Sequence, residues 1–183
     1  MKKLKFLVIF IFCPLLIFSQ QKNEKIIWGK SLTWNDFKGQ PDYSIPHNAS
    51  AQTGLSASFS WKIVKGEPQL LYKIYAIFNP LKSWVKPGKE SLRLLQHEQL
   101  HFDISELTAR EFRKYLSEQN IKPDKMQQKI DRKGELLKRK NKRIQDRYDR
   151  QTKHGTDLQK QEKWEIKIHQ KLKKLRAFRQ PQS

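Results

Sequence analysis

The sequence predicts an α+β fold, with a small antiparallel sheet packed on a helix that carries the motif H-E-x-x-H, followed by two long basic helices. Residues 54–63 and 70–78 alternate apolar and polar side chains, which is typical of half-buried strands. Gly66 and Pro68 lie between these runs, so we expect the two strands to form a hairpin. The rest of the chain repeats its apolar residues at helical spacing instead.

Residues 1–19 are expected to be a signal peptide. A short positive segment precedes an apolar run from Phe6 to Phe18, and polar residues begin at Ser19. The run is shorter than the roughly 20 apolar residues that a permanent membrane span needs, so cleavage is favoured over an anchor. We therefore expect an exported protein that is periplasmic or secreted, without a permanent membrane span.

The expected domain organisation is one domain over residues 20–176, followed by a flexible tail at 177–183. Cys13 is the single cysteine, and cleavage of the signal would remove it. Any metal must then be held by His, carboxylate or water.

The charge of the chain is strongly positive, with 38 Lys and Arg against 18 Asp and Glu. Most of the excess lies after Lys122. Such a region either consists of solvated helix faces or binds an anionic envelope polymer or lipid headgroup. Nucleic acid is excluded as the expected partner, because an exported protein rarely meets it and no nucleic-acid-binding motif is present.

Three helices are predicted after the hairpin. Residues 89–116 contain no Pro or Gly, and further helical patterns cover roughly 124–150 and 156–176. Gly155 lies between the last two helices, where it can end one of them and let the chain turn back.

The chemistry of the chain is concentrated in His97-Glu98-Gln99-Leu100-His101. Two His at positions i and i+4 of a helix project from one face, close enough to bind one metal ion. Glu98 lies beside them, where it could take a proton from a water that the metal activates. The alternative is a pair of surface His with an incidental Glu.

A catalytic zinc site needs a third protein ligand. The extended motif H-E-x-x-H-x-x-G-x-x-H is excluded, since Ile104 and Leu107 occupy the positions that would need Gly and His. Asp103 and Glu106 rotate away from the face of His97 and His101. His154 is the favoured candidate because a turn residue can aim its side chain independently of a helix face; otherwise it is an exposed loop residue.

Four other residues are less favoured as ligands. His47 is a loop residue that could line a cleft, although the surface is favoured, and His169 is expected at the surface. Glu118 and Glu135 lie at a suitable distance in sequence for a carboxylate ligand, but nothing in their surroundings marks them.

Several stretches of the chain resemble the bacterial domain of unknown function 922 family. They are Trp34-Asn35-Asp36-Phe37-Lys38-Gly39, Phe78-Asn79-Pro80, residues 94–104 and Tyr148-Asp149-Arg150-Gln151-Thr152-Lys153-His154-Gly155. The resemblance implies a secreted zinc-dependent protease with a zincin-like fold. It also favours His154 as the third ligand, because this His lies in the family's Tyr-Asp-x-x-Thr-x-His-Gly stretch.

The expected function is therefore that of a zinc metallopeptidase in which His97, His101 and His154 hold Zn²⁺ and Glu98 acts as general base. Tyr148 is a candidate oxyanion donor, although a packed Tyr in the helix's apolar stripe is favoured. Asp103 or Asp149 could orient a ligand His.

The expected substrate is a protein or peptide, including cell-wall peptide, which could add as a strand to the sheet edge formed by residues 70–78. The main rival is a non-catalytic basic envelope protein that binds an anionic polymer, with zinc structural or absent. Glu98 discriminates the two, because hydrolysis needs this Glu and a structural metal site does not.

Overall fold

The computed structural model describes residues 25–119 and 123–179, and it has the α+β fold that the sequence predicts. The predicted signal peptide at 1–19 and the end of the predicted tail at 180–183 lie outside these residues. In the described part of the chain, no helix combines the length and the apolar character needed to cross a membrane.

The strands are β1 (Ile26–Ile27), β2 (Ala49–Ser50), β3 (Thr53–Val64), β4 (Glu67–Phe78) and β5 (Trp84–Val85). β3 and β4 form the predicted antiparallel hairpin, and β1 pairs with the end of β4, giving the order β1-β4-β3. β2 and β5 form a separate two-stranded sheet. The hairpin turn uses Lys65 and Gly66, both with left-handed backbone angles.

Among the residues that the structure describes, no strand pairs with the outer edge of β3. The amide of Asn79 donates to the carbonyl of Gln52 at 2.9 Å, which fixes the alternation of hydrogen bonds in this ladder. Backbone groups of the following odd-numbered residues, beginning with Thr53 and Leu55, therefore point away from β4.

The helices are α1 (Leu92–Ser117), α2 (Pro123–Thr152) and α3 (Leu158–Lys174), which confirms the three predicted helices to within three residues at each end. The side chain of Ser91 accepts a hydrogen bond from the amide of Leu94 and begins α1. Asp157 begins α3 in the same way, accepting from the amide of Lys160. α2 ends at a turn through Gly155, so that α3 runs back along it.

α1 lies at the centre of the molecule, because it has two apolar faces. One face packs Phe102 and Phe112 against Ile74 and Phe78 of the sheet. The other packs against α2 and α3, through a cluster that contains Leu100, Ile104, Leu107, Tyr148, Trp164, Ile168 and Leu172. The motif helix is thus buried on most of its circumference, and its polar residues must find partners inside the protein.

A buried ionic cluster joins α1 to the end of the chain. Glu106 accepts hydrogen bonds from Arg110 at 2.8 Å and from Arg113 at 2.7 Å. Arg113 also donates to the carbonyl of Phe178 at 2.5 Å, in a 3₁₀ turn over Arg176–Phe178. The predicted flexible tail therefore begins inside a turn that is tied to α1. Removing one partner of such a cluster typically costs about 3–5 kcal/mol.

Candidate metal centre

The motif on α1 brings two imidazoles together. His97 is 1% exposed, and its Nε2 lies 3.3 Å from Nε2 of His101, with the two rings nearly perpendicular. The helical spacing of i and i+4 produces this approach, as the sequence predicts.

Asp149 of α2 completes a group of three. Its Oδ1 lies 2.9 Å from Nε2 of His101 and 3.2 Å from Nε2 of His97. The three residues form a group whose ligand atoms all lie within 4.8 Å of one another. This group therefore offers two imidazole nitrogens and one carboxylate oxygen to a single point.

The donor set and its spacing fit a divalent metal ion. With metal–ligand bonds of about 2.0–2.2 Å and tetrahedral angles, neighbouring ligand atoms lie about 3.3 Å apart. The observed separations of 2.9, 3.2 and 3.3 Å form a nearly equilateral triangle close to this size. Two His with one carboxylate is a ligand set found in catalytic zinc sites that leave a fourth position open.

His154 lies beside this group and is not one of its three members. Its Nδ1 is 3.7 Å from Oδ1 of Asp149, and its side chain is 46% exposed. Its ring stacks on His47 at 4.7 Å, and His47 in turn stacks on Trp84 at 5.9 Å. His154 thus stands at the rim of the site, where the sequence predicted a ligand, and Asp149 occupies the third place in the group.

His101 is oriented by Gln145 of α2. Its Nδ1 donates to Oε1 of Gln145 at 2.5 Å, and the amide nitrogen of the same Gln donates to the carbonyl of His101 at 3.0 Å. Because Nδ1 is occupied in this way, Nε2 is the ring nitrogen that remains for a metal.

His97 is held mainly by packing. Its ring stacks on Tyr148 at 4.6 Å, while its Nδ1 is buried without a hydrogen-bond partner in the described structure. Gly155 closes the other side: a Cβ added there would lie 3.0 Å from Cβ and Cγ of His97. Lys153, His154 and Gly155 all have positive φ angles, of 50°, 52° and 82°, and this turn brings the Gly backbone against the imidazole.

The protonation of the group is coupled. Burial lowers the pKa of His97 to about 4. Burial also acts to lower the pKa of His101, but the hydrogen bond and charge of Asp149 outweigh it and raise that pKa to about 9. Burial would raise the pKa of Asp149, yet its bonds to the two His hold it well below its usual range. In the protein without metal, His101 is therefore protonated at neutral pH and faces an ionised Asp149.

Glu98 lies next to the group and lines the same cleft. It is 3% exposed, and its Oε2 accepts a hydrogen bond from the amide of Ala51 at 2.7 Å. Burial raises its pKa to about 7, opposed by the charge of His101 and the bond from Ala51. A carboxyl with such a pKa can both accept and return a proton near neutral pH.

Tyr148 is a packing residue in this structure. It is fully buried, and its hydroxyl donates to the backbone carbonyl of His97 at 3.3 Å. It is not among the residues that line the cleft. The structure therefore favours a packing role for Tyr148 over a role as oxyanion donor, because its hydroxyl already donates to the backbone of α1.

A cleft of about 870 Å³ leads to the group. One wall is the chain from His47 to Leu55, which includes β2 and the start of β3; the other is α2. The strand that borders it is β3. This corrects the expectation that residues 70–78 receive the peptide, because none of those residues lines the cleft. His47, expected at the surface, is half-buried in the cleft wall.

The remaining candidates lie away from the three ligand atoms. Asp103 faces the opposite side of α1, where it accepts from Trp28 at 2.7 Å and pairs with His169 at 3.1 Å. Glu118 is exposed and pairs with Lys114. Glu135 lines the far part of the cleft and is 60% exposed.

Sequence reasoning considered Asp149 as an orienting residue and did not single out Gln145. A usable signal existed, since Gln145, Asp149 and Thr152 are polar residues spaced with Tyr148 along one helix face. Polar side chains beside a buried aromatic residue indicate that this face of the helix packs against polar groups of another element.

The fold and this site together define an α+β protein in which two His of the central helix and an Asp of α2 form a group able to bind a metal ion. Residues 88–155 match the model of the family described as bacterial protein of unknown function (DUF922), which confirms the resemblance seen in the sequence. The match contains all three members of the group, as well as the turn at Gly155. No curated protein and no solved structure matches the chain.

Proposed function

We propose that this protein is a zinc-dependent hydrolase that cleaves peptide bonds. His97, His101 and Asp149 hold the metal, and Glu98 is the general base. The observation that carries the proposal is the triangle of two Nε2 atoms and one Oδ1, with a buried Glu beside it. The small antiparallel sheet that packs against the motif helix supports it.

Zinc in such a site would lower the pKa of a water molecule and polarise the substrate carbonyl. The protein's own residues do the rest. Glu98 accepts the proton from the attacking water and returns it to the leaving amine, which its pKa of about 7 permits at neutral pH. Asp149 and Gln145 fix His101, one as a co-ligand and one through the second ring nitrogen.

The cleft suits an extended peptide. Backbone groups at Thr53 and Leu55 of β3 point away from β4, and both residues line the cleft beside the metal group. A peptide strand could add to this edge and pass its scissile bond between the metal group and Glu98. The proposed substrate class includes peptides from protein and from cell wall.

The test is a Glu98→Gln variant, which keeps the shape of the side chain and removes its basicity. We expect bound zinc to stay at about one per chain, while hydrolysis of a peptide library, followed by mass spectrometry, slows by at least about 100-fold. Glu135→Gln, also in the cleft wall, is the control and should keep full activity. Unchanged turnover in Glu98→Gln would show that the proposed base is wrong.

We also propose that the protein is exported after cleavage near residue 19. The apolar run of residues 6–18 behind a positive start supports this. N-terminal sequencing of the protein recovered from the periplasm and medium should begin close to Gln20. Recovery of the uncleaved chain from the cytoplasm would contradict it.

A further inference from the structure

We propose that the outer face of the α2–α3 pair docks on a bilayer surface that carries anionic phospholipid headgroups. This inference does not depend on the metal site. It comes from the way in which charge is distributed around the two C-terminal helices.

α2 separates its charges by face. Seven basic residues recur at steps of three, four or seven, and therefore form one stripe along the helix, namely Lys125, Lys129, Arg132, Arg139, Arg143, Arg147 and Arg150. All seven are exposed. The acidic residues of this helix lie on other faces, including Asp146 and Asp149 towards the cleft.

The stripe lacks the ion pairs that usually accompany a solvated helix. Within the described residues, the lysines of α2 that form ion pairs are Lys138, Lys140 and Lys142, which lie outside the stripe. None of the seven stripe residues pairs with a carboxylate in the part of the chain that the structure describes. The stripe runs for about 38 Å at 1.5 Å per residue, so it is a long array of uncompensated positive charge.

α3 adds a second stripe beside the first. Exposed lysines recur there at steps of three and four, at positions Lys160, Lys163, Lys167, Lys171 and Lys174. Trp164 of α3 donates to Oε1 of Gln151 in α2 at 2.9 Å, and this contact marks the seam between the helices. Gln151 on α2 and Trp164 on α3 each lie between the buried face of their helix and its basic stripe. The two stripes therefore lie on the solvent side of the seam, one on each helix.

Two parallel stripes make a broad array, which favours a flat partner over a single polymer strand. A linear polyanion would follow one stripe, whereas a bilayer surface can contact both at once. Leu136 also lies within the α2 stripe and is 48% exposed, which an interface with lipid tolerates better than one with a hydrophilic polymer. Lys and Arg beside an anionic leaflet gain electrostatic attraction additively, without needing individual pockets.

The test measures binding of the full chain to vesicles of phosphatidylcholine with or without 30% phosphatidylglycerol. Every variant contains the apolar N-terminal run, which should bind both vesicle types equally. The ratio of binding to anionic vesicles over binding to neutral vesicles therefore isolates the electrostatic part. We expect this ratio to be at least about tenfold at 0.1 M NaCl and to approach one at 0.5 M, because salt screens exposed charges.

Two double variants locate the surface. The stripe variant, Arg139→Gln with Arg143→Gln, removes two charges from the stripe. The control variant, Lys138→Gln with Lys142→Gln, removes two charges from the adjacent positions, which face the cleft. All four side chains are exposed, so both variants should fold. We expect the vesicle ratio to fall at least about fivefold for the stripe variant and less than about twofold for the control.

Equal losses in the two variants would overturn the proposal, since net charge alone would then explain binding. The absence of any preference for anionic vesicles at 0.1 M NaCl would overturn it as well. So would binding to soluble polyphosphate without binding to vesicles, which would assign the stripes to a linear polyanion.

Discussion

The inner and outer faces of α2 differ in how their side chains are held. On the inner face, Gln145, Tyr148 and Asp149 each contact the motif of α1 at 3.3 Å or less. On the outer face, residues such as Arg143 are exposed and make no ion pair with the described residues. Metal binding at the inner face therefore depends on precise geometry, so a single displaced atom should weaken it. Attraction at the outer face depends on the sum of many charges, so the loss of one charge should have little effect.

The largest effect is expected from disturbing the inner geometry at Gly155. In Gly155→Ala the new Cβ would lie 3.0 Å from the ring of His97, at a φ of 82° that Ala rarely adopts. We expect zinc affinity to fall at least about tenfold and the free energy of unfolding to fall by about 1–3 kcal/mol. Competition with a metal chelator and denaturant unfolding measure the two.

Gly134→Ala is the matched control for that variant. Its Cβ would meet only the ring of Phe112, at an ordinary 3.9 Å, within helix α2. Unfolding free energy should rise by about 0.5–1 kcal/mol, since Ala favours helix. If zinc affinity changed equally in the two variants, close packing on His97 would not be what holds the site.

Metal binding at the inner face of α2 should depend on pH. His101 has a pKa of about 9 in the protein without metal, so at pH 7 it carries a proton that a metal must displace. Zinc affinity should therefore rise about tenfold per pH unit from pH 7 to 9 and level off above, as measured in chelator-buffered zinc. Affinity that stayed constant over this range would show that no proton leaves the site.

A smaller effect is expected at Tyr148. Tyr148→Phe keeps the ring that stacks on His97 and removes the hydroxyl that donates to its carbonyl. The free energy of unfolding should fall by about 1 kcal/mol, with kcat within about threefold of the unaltered protein. A loss of kcat of about 100-fold with intact zinc binding would instead restore Tyr148 as an oxyanion donor.

The smallest effect belongs to the outer face. Arg143→Gln should change zinc affinity less than about twofold and unfolding free energy by less than about 0.5 kcal/mol, because its side chain is exposed and unpaired within the described structure. The same two measurements check this. A tenfold loss of zinc would mean that the two faces are coupled.

Local patterns in the sequence predicted the motif helix and the hairpin, because periodicity and turn residues act over short distances. The third member of the metal group was harder to predict. Whether Asp149 or His154 reaches the two His depends on how α2 packs along α1, and that register is set by distant contacts such as Tyr148 on His97. The partner of the Tyr148 hydroxyl and the place of His47 in the cleft wall depend on tertiary packing in the same way.

The third metal ligand is tested by the zinc content of three purified proteins, with circular dichroism as a check on folding. They are the unaltered chain, Asp149→Asn and His154→Ala. A site formed by His97, His101 and Asp149 predicts about one zinc per chain in the unaltered protein and in His154→Ala, with little retained in Asp149→Asn. Retention by Asp149→Asn together with loss in His154→Ala would contradict it and would establish a site of three His instead.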